Sequence, residues 1–202
     1  ERYLYYFLSK KLNNTILIAY QFTVIHPNNK SIFYNTNLNF IPKIFLNSGK
    51  LTQDQFKKTF PHSLCLDFGS EKHNSKIVKK NHGSKILICP EGIIDENQIL
   101  FDLAIKLAKN FKNEKIIFRL HPIFSNLKIS HEKITKNLKL SNLKISNCEL
   151  EQDFIQSKYL IFRGSATVFE AMKYNIKLIY YDFKKLDYIN PLKYYKFKYY
   201  EM

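Results

Sequence analysis

Between Lys85 and Tyr181 five short apolar runs alternate with four helix-patterned segments. A parallel sheet wound on both faces by helices is the architecture that meets this order of elements. The strand runs are Lys85–Cys89, Lys115–Leu120, Leu143–Ser146, Tyr159–Phe162 and Lys177–Tyr181. The first helix opens on the start signal Asp95-x-x-Gln98 and runs to about Phe111. Leu100, Leu103, Ala104, Leu107, Ala108 and Phe111 share one of its faces. The other helices are expected over Ser130–Leu138, Glu149–Ser157 and Ser165–Tyr174. In such a winding the first strand lies centrally, the next two go to one side, and the chain crosses back to place the fourth on the other. Ligands bind outside the C-terminal strand ends, where that order reverses. Pro90-Glu91-Gly92, Leu120-His121-Pro122 and Arg163-Gly164-Ser165 then converge on one crevice.

Those turns carry phosphate chemistry. Tyr159–Phe162 stops at Arg163-Gly164 and restarts as a helix behind small hydroxyl residues. Helix N-termini leave backbone N–H groups free for an anion. Ser165 and Thr167 therefore read either as phosphate ligands or as a plain N-cap with a Thr167-x-x-Glu170 capping box. Of 32 basic residues only Arg2, Arg119 and Arg163 are arginines, and two of these end strands. A guanidinium holds an oxyanion bidentately where Lys cannot. Arg119, His121 and Pro122 on one turn, with Arg163, Gly164, Ser165 and Thr167 on another, form the expected nucleotide-phosphate set. Glu91 and Gly92 in the first turn, and Glu170 one helical turn in, are the expected ribose or sugar contacts, with a solvated turn residue as the alternative for Glu91. The motifs of P-loop enzymes, dinucleotide dehydrogenases and G-x-S-x-G hydrolases are absent.

Residues 1–80 are expected to be the C-terminal part of an N-terminal, acceptor-side α/β domain plus a linker. They read as helix Tyr3–Lys11, strands Thr15–Phe22, Lys43–Asn47 and Ser63–Phe68, a short helix Thr52–Phe60, and a polar run Ser70–Ser84. Residues 81–187 form the nucleotide-sugar-binding domain, and 188–202 a tail rich in Tyr and Lys. The chain starts at Glu1 without Met, and a piece of a longer protein is expected. The formal charge of +15 is spread as Lys from end to end, which reads as a solvated surface; no specific nucleic-acid binding is expected. Cys65, Cys89 and Cys148 sit in apolar surroundings without CxxC spacing, so buried free thiols and no metal site are expected. His26, His62, His73, His82 and His131 fall in apparent loops and read as surface residues. Apolar runs stay well below the roughly 20 residues a membrane-spanning helix needs.

Arg119-Leu-His-Pro122, Arg163-Gly-Ser-Ala-Thr-Val-Phe-Glu-Ala171 and Ile176–Tyr181 together resemble the C-terminal half of GT-B glycosyltransferases of bacterial surface polysaccharides. The resemblance points to the sialyl- and polysialyltransferases with a His-Pro motif and a later Ser/Thr motif, and to the CDP-glycerol glycerophosphotransferases. Ala19–Pro27, Pro42–Gly49 and Leu66–Gly69 are similar to the end of the preceding domain, so the likeness covers most of residues 15–182. It implies a GT-B-like, Rossmann-like fold and a metal-independent transfer without cofactor. The donor would be CMP-, CDP- or UDP-activated and the acceptor a glycan or lipid-linked glycan of capsule or lipopolysaccharide. His121, Ser165 and Thr167 would hold the nucleotide phosphate. It also implies a cytoplasmic location, with peripheral contact to the inner face of the plasma membrane, and a tail that crosses back as a helix onto the first domain. Glycerophosphate transfer and a degenerate nucleotide- or anion-binding module remain the alternatives. Many relatives carry Gln-His-Gly where this chain has Gln21-Phe22-Thr23, and their acidic base lies in the N-terminal domain, so no catalytic base is assigned.

Overall fold

A computed structural model describes residues 2–12, 16–21, 25, 41–69, 83–183, 190–193 and 197–202. The chain divides into two compact units, Glu1–Ser75 and Lys76–Met202.

In the first unit, helix α1 (Arg2–Lys11) precedes three parallel strands, β1 (Ile18–Gln21), β2 (Ile44–Asn47) and β3 (Leu64–Asp67), with helix α2 (Lys50–Thr59) between the last two. The register aligns Gln21 with Asn47 and Asn47 with Asp67 at the strand ends. One face of the sheet is packed by α2: Phe45 lies 5.0 Å from the Phe56 ring and 5.1 Å from that of Phe60, with Cys65 and Ile25 buried alongside. Ile18, Tyr20, Leu64 and Leu66 are exposed. Thr15, Phe22 and Thr23, and so the ends of the expected first strand and the Gln-His-Gly departure, lie outside the described residues.

The second unit holds six parallel strands in the order β6-β5-β4-β7-β8-β9. They are β4 (Lys85–Cys89), β5 (Ile116–Phe118), β6 (Leu143–Ile145), β7 (Ser157–Phe162), β8 (Lys177–Tyr180) and β9 (Tyr200–Glu201). The chain starts in the centre, lays β5 and β6 to one side and crosses back to β7, as the sequence predicts. Helices α3 (Ile94–Asn110), α4 (Lys128–Asn137), α5 (Leu150–Gln156) and α6 (Thr167–Ala171) connect them, with a 3-10 turn Pro122–Leu127 before α4 and another, Met172–Tyr174, after α6. Central strands of such a sheet are covered on both sides and read as unbroken apolar runs. Consecutive side chains accordingly enter opposite cores. Leu87, Leu160 and Phe162 pack with Phe154, Val168 and Ala171, whereas Ile88 and Ile161 pack with Leu100, Phe101 and Ala104.

Several boundaries differ from expectation. The α3 N-cap is Ile93 and no side chain caps it; Asp95 and Glu96 occupy the first turn, where carboxylates favour the helix dipole. Phe111 ends that helix as an exposed C-cap instead of joining its buried face. The expected helix Ser165–Tyr174 is only five residues of α-helix plus the 3-10 turn, which ends on Asn175 in the left-handed region. The described part of the tail is not helical. Tyr200–Glu201 adds β9 to the edge of the second sheet, Met202 N–H donates to Tyr180 O at 3.0 Å, and Leu192 is fully buried in that unit's core. Cys148 is exposed, in contrast to Cys65 and Cys89. No described helix is long and apolar enough to cross a membrane.

Candidate functional site

The switch between β5 and β7, on either side of β4, is where the second unit gathers its polar turns. Two glycines fix how closely they approach. A Cβ on Gly92 would lie 3.1 Å from His121 Cε1, so the imidazole rests on the backbone of the first turn. A Cβ on Gly164 would fall inside contact distance of both Glu91 carboxyl oxygens. The turns after β4, β5 and β7 therefore meet, and glycine is what lets a side chain from one lie on the main chain of another. Gly92 and Gly164 thus act as packing surfaces for neighbouring site residues.

His121 is partly buried before the 3-10 turn, and its Nδ1 accepts the Ile123 N–H at 3.4 Å. That bond places the ring proton on Nε2, the nitrogen left to donate to a ligand. Burial lowers the affinity of the ring for a second proton, so it is held neutral at pH 7. Pro122 opens the 3-10 turn with its fixed φ and is itself exposed.

Ser165 is buried, and its Oγ lies 2.8 Å from Thr167 Oγ1 and accepts the Thr167 N–H at 3.4 Å. The two hydroxyls form one pair, and Thr167 also bonds the buried Cys89 thiol, whose pKa burial pushes up to about 12. The N-cap position is Ala166, with no side-chain cap, so the capping-box reading of Thr167 and Glu170 is not realised. Glu170 is half-buried in the first turn of α6. At five residues this helix has little dipole; the hydroxyl pair is the stronger anion-directed feature.

Both expected phosphate-binding arginines are engaged elsewhere. Arg163 is 0% exposed: it forms an ion pair with Glu96 on α3, donates from Nη1 to Phe183 O at 3.0 Å, and lies 5.9 Å from the Phe183 ring centroid. It holds the turn from inside and does not face a crevice. Arg119 donates from Nη1 to Cys148 O at 2.7 Å and to Asp153 Oδ2 at 2.8 Å, with Asp153 buried. A strand-ending Arg needs a counter-charge when buried. The two acids, Glu96 and Asp153, lie 67 and 34 residues from their arginines, and no local pattern reveals them.

Glu91 completes the set. Its Oε1 is buried without a partner, and its carboxyl holds its proton above the usual range, first because of burial, then because of Glu96, with Arg163 opposing. His131, expected on the surface, is 4% exposed. Its ring lies 3.9 Å from that of Phe101, and Nδ1 is 2.9 Å from Leu127 O. It belongs to the core. No group of three metal-ligating side chains occurs among the described residues.

A parallel sheet wound about a central first strand, with polar turns meeting at its switch point, defines a Rossmann-like domain. Among solved structures the chain is similar to the pneumococcal O-GlcNAc transferase GtfA in complex with UDP and GlcNAc, with a TM-score of 0.53 at 16% identity. That likeness covers 87% of this chain and 39% of the other, so the chain spans well under half of that neighbour's length. The GtfA/B complex is similar at a TM-score of 0.40 and 14% identity, over 70% of this chain and 30% of that one. The fold is α/β and GT-B-like, as glycosyltransferases of that architecture have. No protein-family profile matches the sequence. No curated protein matches it either.

Proposed function

We propose that the second unit binds a nucleotide-activated sugar at the β4–β7 switch point, and that the protein is a metal-independent glycosyltransferase acting on a cell-surface polysaccharide or lipopolysaccharide. The observation that carries this reading is the meeting of three turns, with His121 resting on Gly92 and Glu91 on Gly164. His121 Nε2–H and the Ser165–Thr167 hydroxyls supply neutral donors to the donor phosphate. Such fixed dipoles stabilise the charge that builds on a departing phosphate. Glu91 and Glu170 accept from ribose or sugar hydroxyls. The UDP complex of the structural neighbour supports a nucleotide-sugar donor. Arg119 and Arg163 are left out of the contact set because each is committed to an acid.

The proposed acceptor is a glycan or lipid-linked glycan, and the proposed location is cytoplasmic, with peripheral contact to the inner face of the membrane where a lipid-linked acceptor sits. A donor-binding module without turnover is the second reading, favoured by both guanidiniums being paired inside the fold. Calorimetry with CMP, CDP and UDP on the wild type, His121→Ala and Ser165→Ala tests the assignment. At least one nucleotide binds the wild type, and each variant weakens it about 10-fold, equivalent to roughly 1.4 kcal/mol. Absence of binding to the wild type, or variants that bind equally well, removes it.

A further inference from the structure

The first unit has its own strand-to-helix turn, Asn47-Ser48-Gly49-Lys50, between β2 and α2. Asn47 is 0% exposed, yet neither its amide nitrogen nor its amide oxygen has a hydrogen-bond partner. A buried amide left unmet costs about 1–3 kcal/mol, so a native fold normally gives it a companion. Asn47 lies two residues beyond Phe45 and so on the same side of the strand. Phe45 packs on Phe56 and Phe60, so this is the side that α2 covers.

The level along the strand also matches. Gln53 Nε2 donates to Cys65 O at 2.8 Å, and Cys65 is the register partner of Phe45. One helical turn before Gln53 comes Gly49, about 5.4 Å toward the strand ends. Asn47 is displaced the same way by two strand residues, about 6.6 Å. The unmet amide therefore lies at the level of the first turn of α2.

That turn is open. Its N-cap is Gly49, no side chain caps it, and its first turn contains no acid. Helix starts leave N–H groups without intrahelical acceptors, with the positive end of the dipole behind them. The Ser48 N–H and hydroxyl are both taken by Gln21 Oε1, at 3.1 and 3.0 Å, which fixes the turn against β1. Lys50 adds a cation, paired in this structure with Asp54 at 3.0 Å.

We infer that the β2–α2 turn is a seat for a phosphate-type oxyanion, held by the Asn47 amide and the first-turn N–H groups of α2. The Asn47 Nδ2 donates to one oxygen, and the P–OH of a singly protonated phosphate donates to Oδ1. The seat is built from the first unit alone and does not depend on the reading of the switch point in the second. A free phosphate and the phosphate ester of a sugar share this chemistry.

The test uses the whole 202-residue chain, 15N-labelled, titrated with inorganic phosphate and with glucose 1-phosphate at constant ionic strength. Saturable amide shifts at Gly49, Lys50 and Leu51 are expected. Affinity about 10-fold tighter for the ester marks a sugar phosphate as the occupant, and equal affinity marks free phosphate. Gly49→Asp supplies an internal cap, and a Cβ at Gly49 meets nothing within 4 Å, so this variant folds. It should raise the melting temperature and lower phosphate affinity at least 10-fold. Asn47→Leu removes the unmet amide and should lose the response while staying folded. Absence of saturable shifts in the wild type, or Gly49→Asp binding phosphate as the wild type does, overturns the inference.

Discussion

The Glu91 carboxyl lies flat against the Cα of Gly164, so that two residues 73 positions apart share the space that any side chain at 164 would need. Gly164→Ala is expected to push the carboxyl out toward water, because the obstructing atoms are the end of a flexible side chain. The Glu91 titration then moves back toward its ordinary value of 4.5, which carboxyl-carbon NMR reads directly. Nucleotide affinity should fall with it, while stability changes by no more than about 1–2 kcal/mol.

Gly83→Ala should behave differently. A Cβ there runs into the main chain of Gln156 and Ser157, which cannot swing away. Overpacking of this kind costs about 1–3 kcal/mol, so urea denaturation should show a lower midpoint at unchanged slope.

Glu91 also gives a pH dependence. Its proton is held more tightly in the folded state, so its contribution is fully present below pH 4.5 and is lost as pH rises through the folded value. Glu91→Gln should therefore raise the melting temperature at pH 7 and leave it unchanged near pH 4. A variant no more stable than the wild type at pH 7 would contradict the buried-carboxyl assignment.

His131 has the opposite sign. Burial lowers its folded pKa below the ordinary 6.5, so its contribution is present above 6.5 and is lost as pH falls through the folded value. Melting temperature should drop from pH 7 to pH 5, and His131→Phe should flatten that part of the profile.

The two buried ion pairs should be unforgiving singly and tolerant together. Arg163→Met leaves Glu96 as a buried lone charge and is expected to cost about 3–5 kcal/mol. Arg163→Met combined with Glu96→Leu should recover most of that loss. A double-mutant cycle by chemical denaturation measures the coupling.

The strand order was legible because each strand of the second unit is a short apolar run closed by a polar turn, and chain order with right-handed crossovers leaves little choice. The convergence of Gly92, His121, Glu91 and Gly164 followed from that order. The fate of the arginines did not. A strand-ending Arg looks the same in sequence whether it faces a ligand or a buried acid, and Glu96 and Asp153 sit on helices whose own patterns give them as ordinary first-turn acids. His131 was misread for a similar reason. The expected helix Ser130–Leu138 contains it, but the polar residues around it give no sign that its face of α4 turns inward, with the ring against Phe101 and Phe118. The strand in the tail was not legible because β9 is two residues long, too short for any periodicity to show.

The most direct test of the crevice is a crystal structure of the protein soaked with the nucleotide that binds best. The phosphate nearest the sugar is expected within hydrogen-bond distance of His121 Nε2 and of the Ser165–Thr167 hydroxyl pair, with the ribose toward Glu91 or Glu170. A nucleotide bound away from the β4–β7 switch point, with those five side chains untouched, would contradict the account.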